Sequence, residues 1–380
     1  MPSSARHRIF FAFLAAMMTA SAAVGSSGSA LATPAADDPY PGAEWERGDA
    51  VAAGFDPAKL AKIADELKAG KSNCLAVVRH GKLVGDWYWN GTGPESAQEV
   101  WSATKSVSST LVGIAQDEQK LSVEDKASKY IPSWGDTPSA EVTVKDLLSN
   151  DSGRHWTSAF DDAVKVFAAQ DRTGFAVSQS QDVAPGQFWA YNNTAIQTLD
   201  AVLRKATGDG PSDYAQKKLL EPLGMKHSKM TLDQKGNTNT FMGLQSTCQD
   251  LARFGYLFLR KGHWNGTQPV SEHWVGDATG KPSQDISSAY GYLWWLNRLG
   301  PVATVQNPMT REESAKAPHT QLVPSAPQDM YWALGLGGQI VQVDPGSDTV
   351  VVRLGPGTLT DPAPAPTKTA EIVTEALVRP

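Results

Sequence analysis

The alternation of apolar and polar residues predicts strands near both ends of the chain and helices in its middle. Apolar residues with helical spacing follow Asp56-Pro57 and stop at Gly70, which predicts a first helix. Two apolar runs at residues 74–78 and 83–89, separated by a polar turn, predict a β-hairpin. Helical spacing then dominates from about residue 102 to about residue 225.

The last third of the chain returns to strand patterns. Strands are predicted at about 290–295, 339–343 and 349–354, after a helix that begins near residue 246 and before a final helix at about 367–377. Strands at both ends of a helical middle predict an α+β fold. In that fold one antiparallel sheet is built from N- and C-terminal segments and flanked by helices, with an inserted helical lobe at roughly 110–225.

Composition narrows the classes of protein that this pattern can represent. The 380 residues are 41% hydrophobic and 19% charged, which is typical of a globular protein with a large core. The formal net charge is -6, and basic residues cluster only at the extreme N-terminus. Because nucleic-acid binding requires a basic surface, a nucleic-acid partner is not expected.

The first residues have the features of a secretory signal peptide. Two arginines precede an apolar stretch at residues 9–24, and a small-x-small pattern ends at Ala32. We therefore expect a signal peptide at 1–32, a linker or N-terminal arm at 33–50, and one folded domain at 51–378. The mature protein is expected to be secreted, extracellular or periplasmic, with no membrane span after cleavage.

The chain contains two cysteines, Cys74 and Cys248. In an oxidising compartment they are candidates for one disulfide. The alternative is a pair of buried free thiols, since the sequence does not give the Cα separation that the bond requires.

A candidate nucleophile lies at the start of the helical region. Ser102 and Lys105 are three residues apart, so on a helix both side chains project from one face. A lysine whose pKa is lowered by burial can remove the proton of a serine hydroxyl. The simpler interpretation is an amphipathic helix start with no chemistry.

Two further segments supply candidate polar groups. Pro185-Gly186 precedes Tyr191 and Asn193, a phenol that can exchange protons with Ser102 and the leaving group, and an amide that can hold Lys105 or the substrate carbonyl. The alternative is an ordinary turn with a half-buried tyrosine.

The glycine-rich segment 333–339 leads into a predicted strand. Its glycines allow close approach of the backbone to a substrate, and a backbone N–H there can complete an oxyanion hole with that of Ser102. A glycine-rich bulge is the alternative. A nucleotide site is excluded because GxGxxG would require glycine where Ile340 stands, and no HExxH or paired-cysteine motif indicates a metal or other cofactor.

The order and spacing of these segments resemble the serine beta-lactamase and penicillin-binding-protein superfamily, in its class C beta-lactamase-like branch. Residues 147–153 and 246–255 are also similar to that branch, and the resemblance covers about residues 50–378. Trp294-Trp295 and Gly338-Gln339 most resemble the 6-aminohexanoate-dimer (nylon-oligomer) hydrolases and related esterases.

The resemblance implies a role for each candidate residue. Ser102 would be the acylated nucleophile, Lys105 its general base and Tyr191 a proton relay. Asn193 would be a supporting polar group, and the backbone N–H groups of Ser102 and Leu336 would form the oxyanion hole.

Two departures from the family pattern bear on the substrate. Ala333-Leu334-Gly335 stands where enzymes acting on penicillins or D-Ala-D-Ala peptides have Lys-Thr-Gly or His-x-Gly, so the side chain that meets the substrate carboxylate is missing. Asn150 stands where the branch often has histidine or methionine. The first departure favours other ester or amide substrates.

We therefore expect an exported serine hydrolase that cleaves a small-molecule or short-peptide amide or ester without a cofactor. Trp156, Trp189 and Trp295 are candidates for the substrate cleft, with a core role as the alternative. A D,D-peptidase or beta-lactamase is a second hypothesis. A catalytically silent peptide- or peptidoglycan-binding protein is a third.

Overall fold

The computed structural model describes residues 39–357 and 365–378, and the predicted signal peptide at 1–32 lies outside the described residues. The strands are β1 Cys74–Arg79, β2 Lys82–Tyr88, β3 Gln98–Glu99, β4 Phe188–Trp189, β5 Lys229–Met230, β6 Leu244–Ser246, β7 Trp295–Leu296, β8 Met309–Thr310, β9 Tyr331–Gly335, β10 Gln339–Asp344 and β11 Thr349–Leu354. The α-helices are α1 Pro57–Ala69, α2 Thr104–Asp117, α3 Val144–Ser149, α4 Ala159–Ala168, α5 Arg172–Ser178, α6 Asn193–Gln197, α7 Leu199–Thr207, α8 Pro211–Ala215, α9 Glu221–Leu223, α10 Cys248–Leu259, α11 Glu272–Val275, α12 Arg311–Ser314 and α13 Pro366–Glu371.

The main sheet has six strands in the order β2-β1-β11-β10-β9-β7. Its strand pairs are antiparallel, and the N-terminal strand β1 pairs with the C-terminal strand β11. The fold prediction of an α+β protein, with one antiparallel sheet assembled from both ends of the chain, is therefore confirmed.

Alternation along β1 explains why helices cover both faces of this sheet. Leu75 and Val77 belong to the apolar cluster that contains the buried face of α1. Ala76 and Val78 point to the opposite face and join the larger core that includes α10. Successive side chains of a strand point to opposite faces, so one fully buried strand supplies both cores.

Several helices begin at the capping residues that the sequence displays. The Asp56 carboxylate accepts N–H bonds from the first turn of α1. Thr143 forms a capping box with Asp146 at the start of α3, and the Thr247 side chain caps α10. These side chains satisfy N–H groups that have no partner within the helix.

The helical lobe is inserted between β3 and β6. It spans residues 100–243, somewhat more than the predicted 110–225. Strand β3 pairs with β6, and Gln98 lies opposite Ser246. The lobe therefore leaves and rejoins the rest of the domain at one place. Within it α2 is buried along most of its length.

A disulfide and an arm tie the N-terminal region to the domain. Cys74 on β1 and Cys248 at the start of α10 form a disulfide with a Cα–Cα distance of 6.3 Å. In the segment 39–50, Trp45 is buried and its Nε1 donates to the Gln249 carbonyl oxygen at 3.2 Å.

The strand predicted at 290–295 is largely wrong. Only Trp295–Leu296 forms a strand there, at the edge of the sheet beside β9. The preceding Leu293 has a left-handed backbone (φ 58°), and its N–H donates to Leu148 in the lobe at 3.0 Å. Aromatic residues typical of strands thus occupy a bent connection. Among the described helices none has the length and apolar character needed to cross a membrane.

Candidate active site

Ser102 lies in a tight turn immediately before α2. The turn Trp101–Ala103 is a 3₁₀-helix, so the predicted α-helical first turn is replaced by a sharper one. Trp101 has a left-handed backbone (φ 50°), which non-glycine residues rarely adopt, and its N–H is held by Glu99 Oε1 at 2.8 Å. This geometry leaves the Ser102 side chain partly exposed at the end of the helix.

Lys105 lies one turn further along and is 1% exposed. Its Nζ is 2.8 Å from Ser102 Oγ, 2.7 Å from Asn193 Oδ1 and 2.8 Å from the Phe241 carbonyl oxygen. The amine is therefore held by three parts of the chain that are remote in sequence.

The surroundings of Lys105 favour its neutral form. Burial lowers the pKa of the Lys105 amine from 10.5 to about 7, and the charge of Asp162 only partly opposes this. A neutral amine has two N–H groups and one lone pair. Since Asn193 Oδ1 and the Phe241 carbonyl can only accept, the lone pair is left to face the Ser102 O–H.

Tyr191 completes the group around the serine. Its hydroxyl lies close to the Ser102 side chain, and its ring centroid lies 4.7 Å from Lys105 Nζ. Burial holds the pKa of the phenol well above its usual range, so it stays protonated near neutral pH. Trp295 stacks against this ring with centroids 5.7 Å apart and fixes its orientation.

Asn193 is the first residue of α6, and its position depends on a buried carboxylate. Asp162 on α4 is 7% exposed. Its Oδ2 accepts the Asn193 N–H at 2.6 Å, and its Oδ1 accepts the Thr194 N–H at 3.1 Å. Burial raises the pKa of the Asp162 carboxyl, and these N–H donors oppose the rise. Sequence reasoning missed Asp162, since nothing local links it to Asn193.

The end of β9 lies beside the turn Trp101–Ala103, which carries Ser102. A Cβ atom on Gly335 would collide with the Val100 carbonyl oxygen and would lie 3.2 Å from the Ala103 nitrogen. Only glycine permits this approach. Leu336, the next residue, is 36% exposed and begins the turn to β10. The candidate oxyanion residue thus follows directly on the strand end that contacts the serine's own turn.

The three tryptophans proposed for the cleft have different positions. Trp189 is fully buried and packs on Trp295, so its prediction as a cleft residue is wrong: its ring belongs to the core beneath the site. Trp295 is 6% exposed and supports Tyr191. Trp156 is partly exposed and donates its Nε1 to the Tyr191 carbonyl oxygen at 3.2 Å. The ring centroid of Trp101, the residue before Ser102, lies 5.9 Å from that of Phe167.

At the two places where the sequence departs from the family pattern, the structure has apolar residues on β9 and an asparagine that ends α3. Ala333 is buried and Leu334 half-buried on β9, so neither provides a cation for a substrate carboxylate. Asn150 ends α3 with a left-handed backbone (φ 61°) and accepts the Asn192 N–H at 3.3 Å. Its side chain also lies near Tyr290, within the aromatic group that surrounds Tyr191.

An antiparallel sheet with an inserted helical lobe, and a serine paired with a buried lysine at their junction, define the serine beta-lactamase and penicillin-binding-protein superfamily. The chain belongs to the Beta-lactamase family, whose sequence profile matches residues 60–373. The resemblance stated from the motifs is therefore confirmed, and the family membership indicates serine hydrolase activity.

Relatives agree with this assignment. The 6-aminohexanoate-dimer hydrolase of Paenarthrobacter ureafaciens is 22% identical over 328 residues, covering 78% of this chain and 75% of the relative. A Bacillus anthracis structure provisionally named as a 6-aminohexanoate-dimer hydrolase superposes with a TM-score of 0.64 at 20% identity, over 80% of this chain and 77% of its own. A class C beta-lactamase in complex with cefoxitin gives a TM-score of 0.59 at 17% identity, over 84% and 98% of the two chains.

Proposed function

We propose that the protein is an exported serine hydrolase that cleaves linear amides or esters through an acyl-enzyme on Ser102. The observation that carries this proposal is the environment of Lys105. A buried amine with a pKa of about 7, two neighbours that can only accept, and a serine hydroxyl at 2.8 Å is suited to general-base catalysis.

The proposed reaction has two halves. Lys105 takes the proton of Ser102 Oγ as the oxygen attacks the substrate carbonyl, and the N–H groups of Ser102 and Leu336 stabilise the oxyanion. Tyr191 gives its proton to the leaving amine or alkoxide and takes back the one held by Lys105, and the leaving group departs as the acyl-enzyme forms. Water then attacks the ester, and the same groups return the proton to Ser102 as the acid leaves.

The substrate class is inferred from what surrounds the serine. Ala333 and Leu334 offer no charge to a substrate carboxylate, whereas Trp101, Trp156 and Phe167 provide aromatic surface nearby. This combination favours an acyl group with an apolar chain and no carboxylate. The relative named a 6-aminohexanoate-dimer hydrolase is consistent with a linear amide.

Export is inferred from two independent features. The N-terminal sequence has the charge and apolar pattern of a signal peptide. The disulfide between Cys74 and Cys248 is of the kind that persists in oxidising compartments.

The nucleophile is tested by fluorophosphonate labelling, read by intact-protein mass spectrometry, together with hydrolysis of p-nitrophenyl butyrate and of the 6-aminohexanoate linear dimer. We expect one adduct and turnover for the wild type, and neither for Ser102→Ala. Ser109→Ala is the matched control, because Ser109 is a buried serine two turns further along α2 whose Oγ has no hydrogen-bond partner in the described structure. That variant should label and hydrolyse like the wild type.

Other outcomes separate the remaining hypotheses. Turnover of a penicillin, or a stable penicilloyl adduct at Ser102, would favour a beta-lactamase or D,D-peptidase and contradict the inference from Ala333. Absence of both labelling and hydrolysis would favour a silent peptide-binding protein.

A further inference from the structure

We propose that Gln339 and Arg353 are positioning residues that hold the turn after β9, so that the Leu336 N–H faces Ser102. The assignment rests on the proposed function, because it gives a purpose to the oxyanion hole of that reaction. Neither side chain touches the reacting atoms.

The turn between β9 and β10 is unusual because side chains hold three successive carbonyl oxygens. Gln339 Nε2 donates to the Leu336 carbonyl at 2.9 Å. Arg353 Nη1 donates to the Gly337 carbonyl at 2.6 Å and to the Gly338 carbonyl at 2.9 Å. Both glycines have positive φ values, 76° and 72°. Because glycine is conformationally permissive, the backbone of this turn would have wide freedom without the side-chain bonds.

Strand pairing restricts the peptide plane before Leu336, and a side-chain bond restricts the plane after it. Its N–H belongs to the peptide that begins at Gly335, which lies opposite Gln339 in the β-ladder. The next peptide carries the Leu336 carbonyl, which Gln339 Nε2 holds. With both planes fixed, the Leu336 N–H keeps one direction before substrate binds, as a preorganised oxyanion donor requires.

The burial of Arg353 supports a specific role for it. Arg353 is 1% exposed, and within the described residues its recorded partners are Ser72 Oγ and backbone carbonyls, with no carboxylate. Burial lowers the pKa of the guanidinium from 12.5 to about 10, so it stays charged at neutral pH. A buried charge without an ionic partner is costly, and an apolar side chain would usually serve packing better.

The same residues also support the other side of the site. Gln339 Nε2 donates to the Gly355 carbonyl at 2.9 Å, and its Oε1 accepts the Gly355 N–H at 2.9 Å. The chain then passes Gly357, where a Cβ atom would collide with the Trp101 indole nitrogen. Gln339 thus braces both the Leu336 turn and the segment packed against the residue that precedes Ser102.

The test compares two glutamines of one strand. Gln339 and Gln342 both lie on β10, both are fully buried, and both donate to backbone carbonyls. Gln342 donates to Thr369 at 3.3 Å, away from the Leu336 turn. For Gln339→Met we expect kcat with p-nitrophenyl butyrate to fall about 10- to 100-fold with little change in KM, and Gln342→Met should stay within about 2-fold of wild type.

A tetrahedral adduct provides the readout that a merely structural role would not move. Affinity for phenylboronic acid, whose adduct with serine uses the oxyanion hole, should fall in Gln339→Met by about the same factor as kcat. The rate of fluorophosphonate labelling should fall with it. Thermal melting of both variants shows whether each is folded.

Arg353→Lys decides the question if Gln339→Met does not fold. A lysine keeps the charge but has no planar fork for two carbonyls, so we expect a smaller loss of kcat in the same direction. If folded Gln339→Met or Arg353→Lys matched Gln342→Met in kcat and boronate affinity, the positioning role would be wrong while the proposed function stood. If the wild type neither labelled nor hydrolysed, both would be overturned.

Discussion

The lowered pKa of Lys105 predicts the pH dependence of catalysis. The variable is the pH of the assay, between 5.5 and 8.5, because this range spans the pKa of about 7 of the Lys105 amine. Because the neutral amine is the proposed base, kcat/KM should rise about tenfold per pH unit below the pKa and level off above it. The midpoint should therefore lie at about 7.

The size of the effect follows from the two pKa values. An amine with a pKa of 10.5 is neutral in about one molecule in 3000 at pH 7, whereas one with a pKa of about 7 is neutral in about half of them. Burial thus increases the reactive population about 1500-fold. Tyr191 does not obscure this limb, because burial raises the pKa of its phenol away from the range.

The assay is hydrolysis of p-nitrophenyl butyrate under kcat/KM conditions, with Ser102→Ala as the blank for spontaneous hydrolysis. Asp162→Asn provides a second arm. Since the Asp162 charge raises the pKa of Lys105, its removal should move the midpoint to lower pH. A wild-type kcat/KM that still rises tenfold per pH unit at pH 8.5, or one independent of pH across the range, would refute the assignment of Lys105 as a neutral base.

Three further measurements test other parts of the structure. Tyr191→Phe should slow amide hydrolysis about 100-fold or more but affect the p-nitrophenyl ester much less, because nitrophenolate leaves without a proton; equal losses for both substrates would contradict the relay role. Burial raises the pKa of Asp151 from 3.8 to about 8, so its contribution to stability is complete below about pH 4 and is lost as pH rises towards 8. Asp151→Asn should therefore increase the free energy of unfolding in urea at pH 7 by up to about 4 kcal/mol and leave it nearly unchanged at pH 4; no difference between the two pH values would show that the carboxyl is not held neutral. Replacing both Cys74 and Cys248 by alanine should lower the free energy of unfolding by about 5 kcal/mol, since the disulfide closes a loop with a sequence separation of 174, and a loss that reducing agent fails to reproduce in the wild type would count against the bond.

Local signals explain which elements the sequence could predict. Asp56-Pro57 and Thr143 predict helix starts, because their side chains cap N–H groups only a few residues away. The structure has α1 and α3 at these positions. The strand prediction at 290–295 is wrong because a contact with a distant part of the chain, and not a local signal, decides the backbone there. The aromatic residues of this segment are typical of strands, but a left-handed Leu293 and a bond to Leu148 bend it away from the ladder.

The candidate site likewise contains residues that the sequence predicts and residues that it does not. Ser102 and Lys105 follow from spacing along one helix, and Tyr191 with Asn193 follows from the order of motifs. Phe241 contributes only a carbonyl oxygen, for which a side-chain motif gives no signal.

Asp162, Gln339 and Arg353 act through tertiary hydrogen bonds to backbone, and no spacing in the sequence reveals such partners. Trp189 shows the limit for aromatic residues. Trp189 lies two residues before Tyr191, so the sequence places it close to the candidate site. Only its burial in the structure assigns it to the core.

The pairing of β3 with β6 brings the two ends of the helical lobe together, with Gln98 opposite Ser246. An insertion with adjoining ends can be exchanged as a cassette without stretching its host. The cassette carries Ser102, Lys105 and Tyr191, whereas Leu336 stays with the sheet. Exchange of the cassette therefore replaces the proposed proton-transfer groups, the helices around them and the Ser102 half of the proposed oxyanion hole in one event, while the Leu336 half is inherited with the sheet.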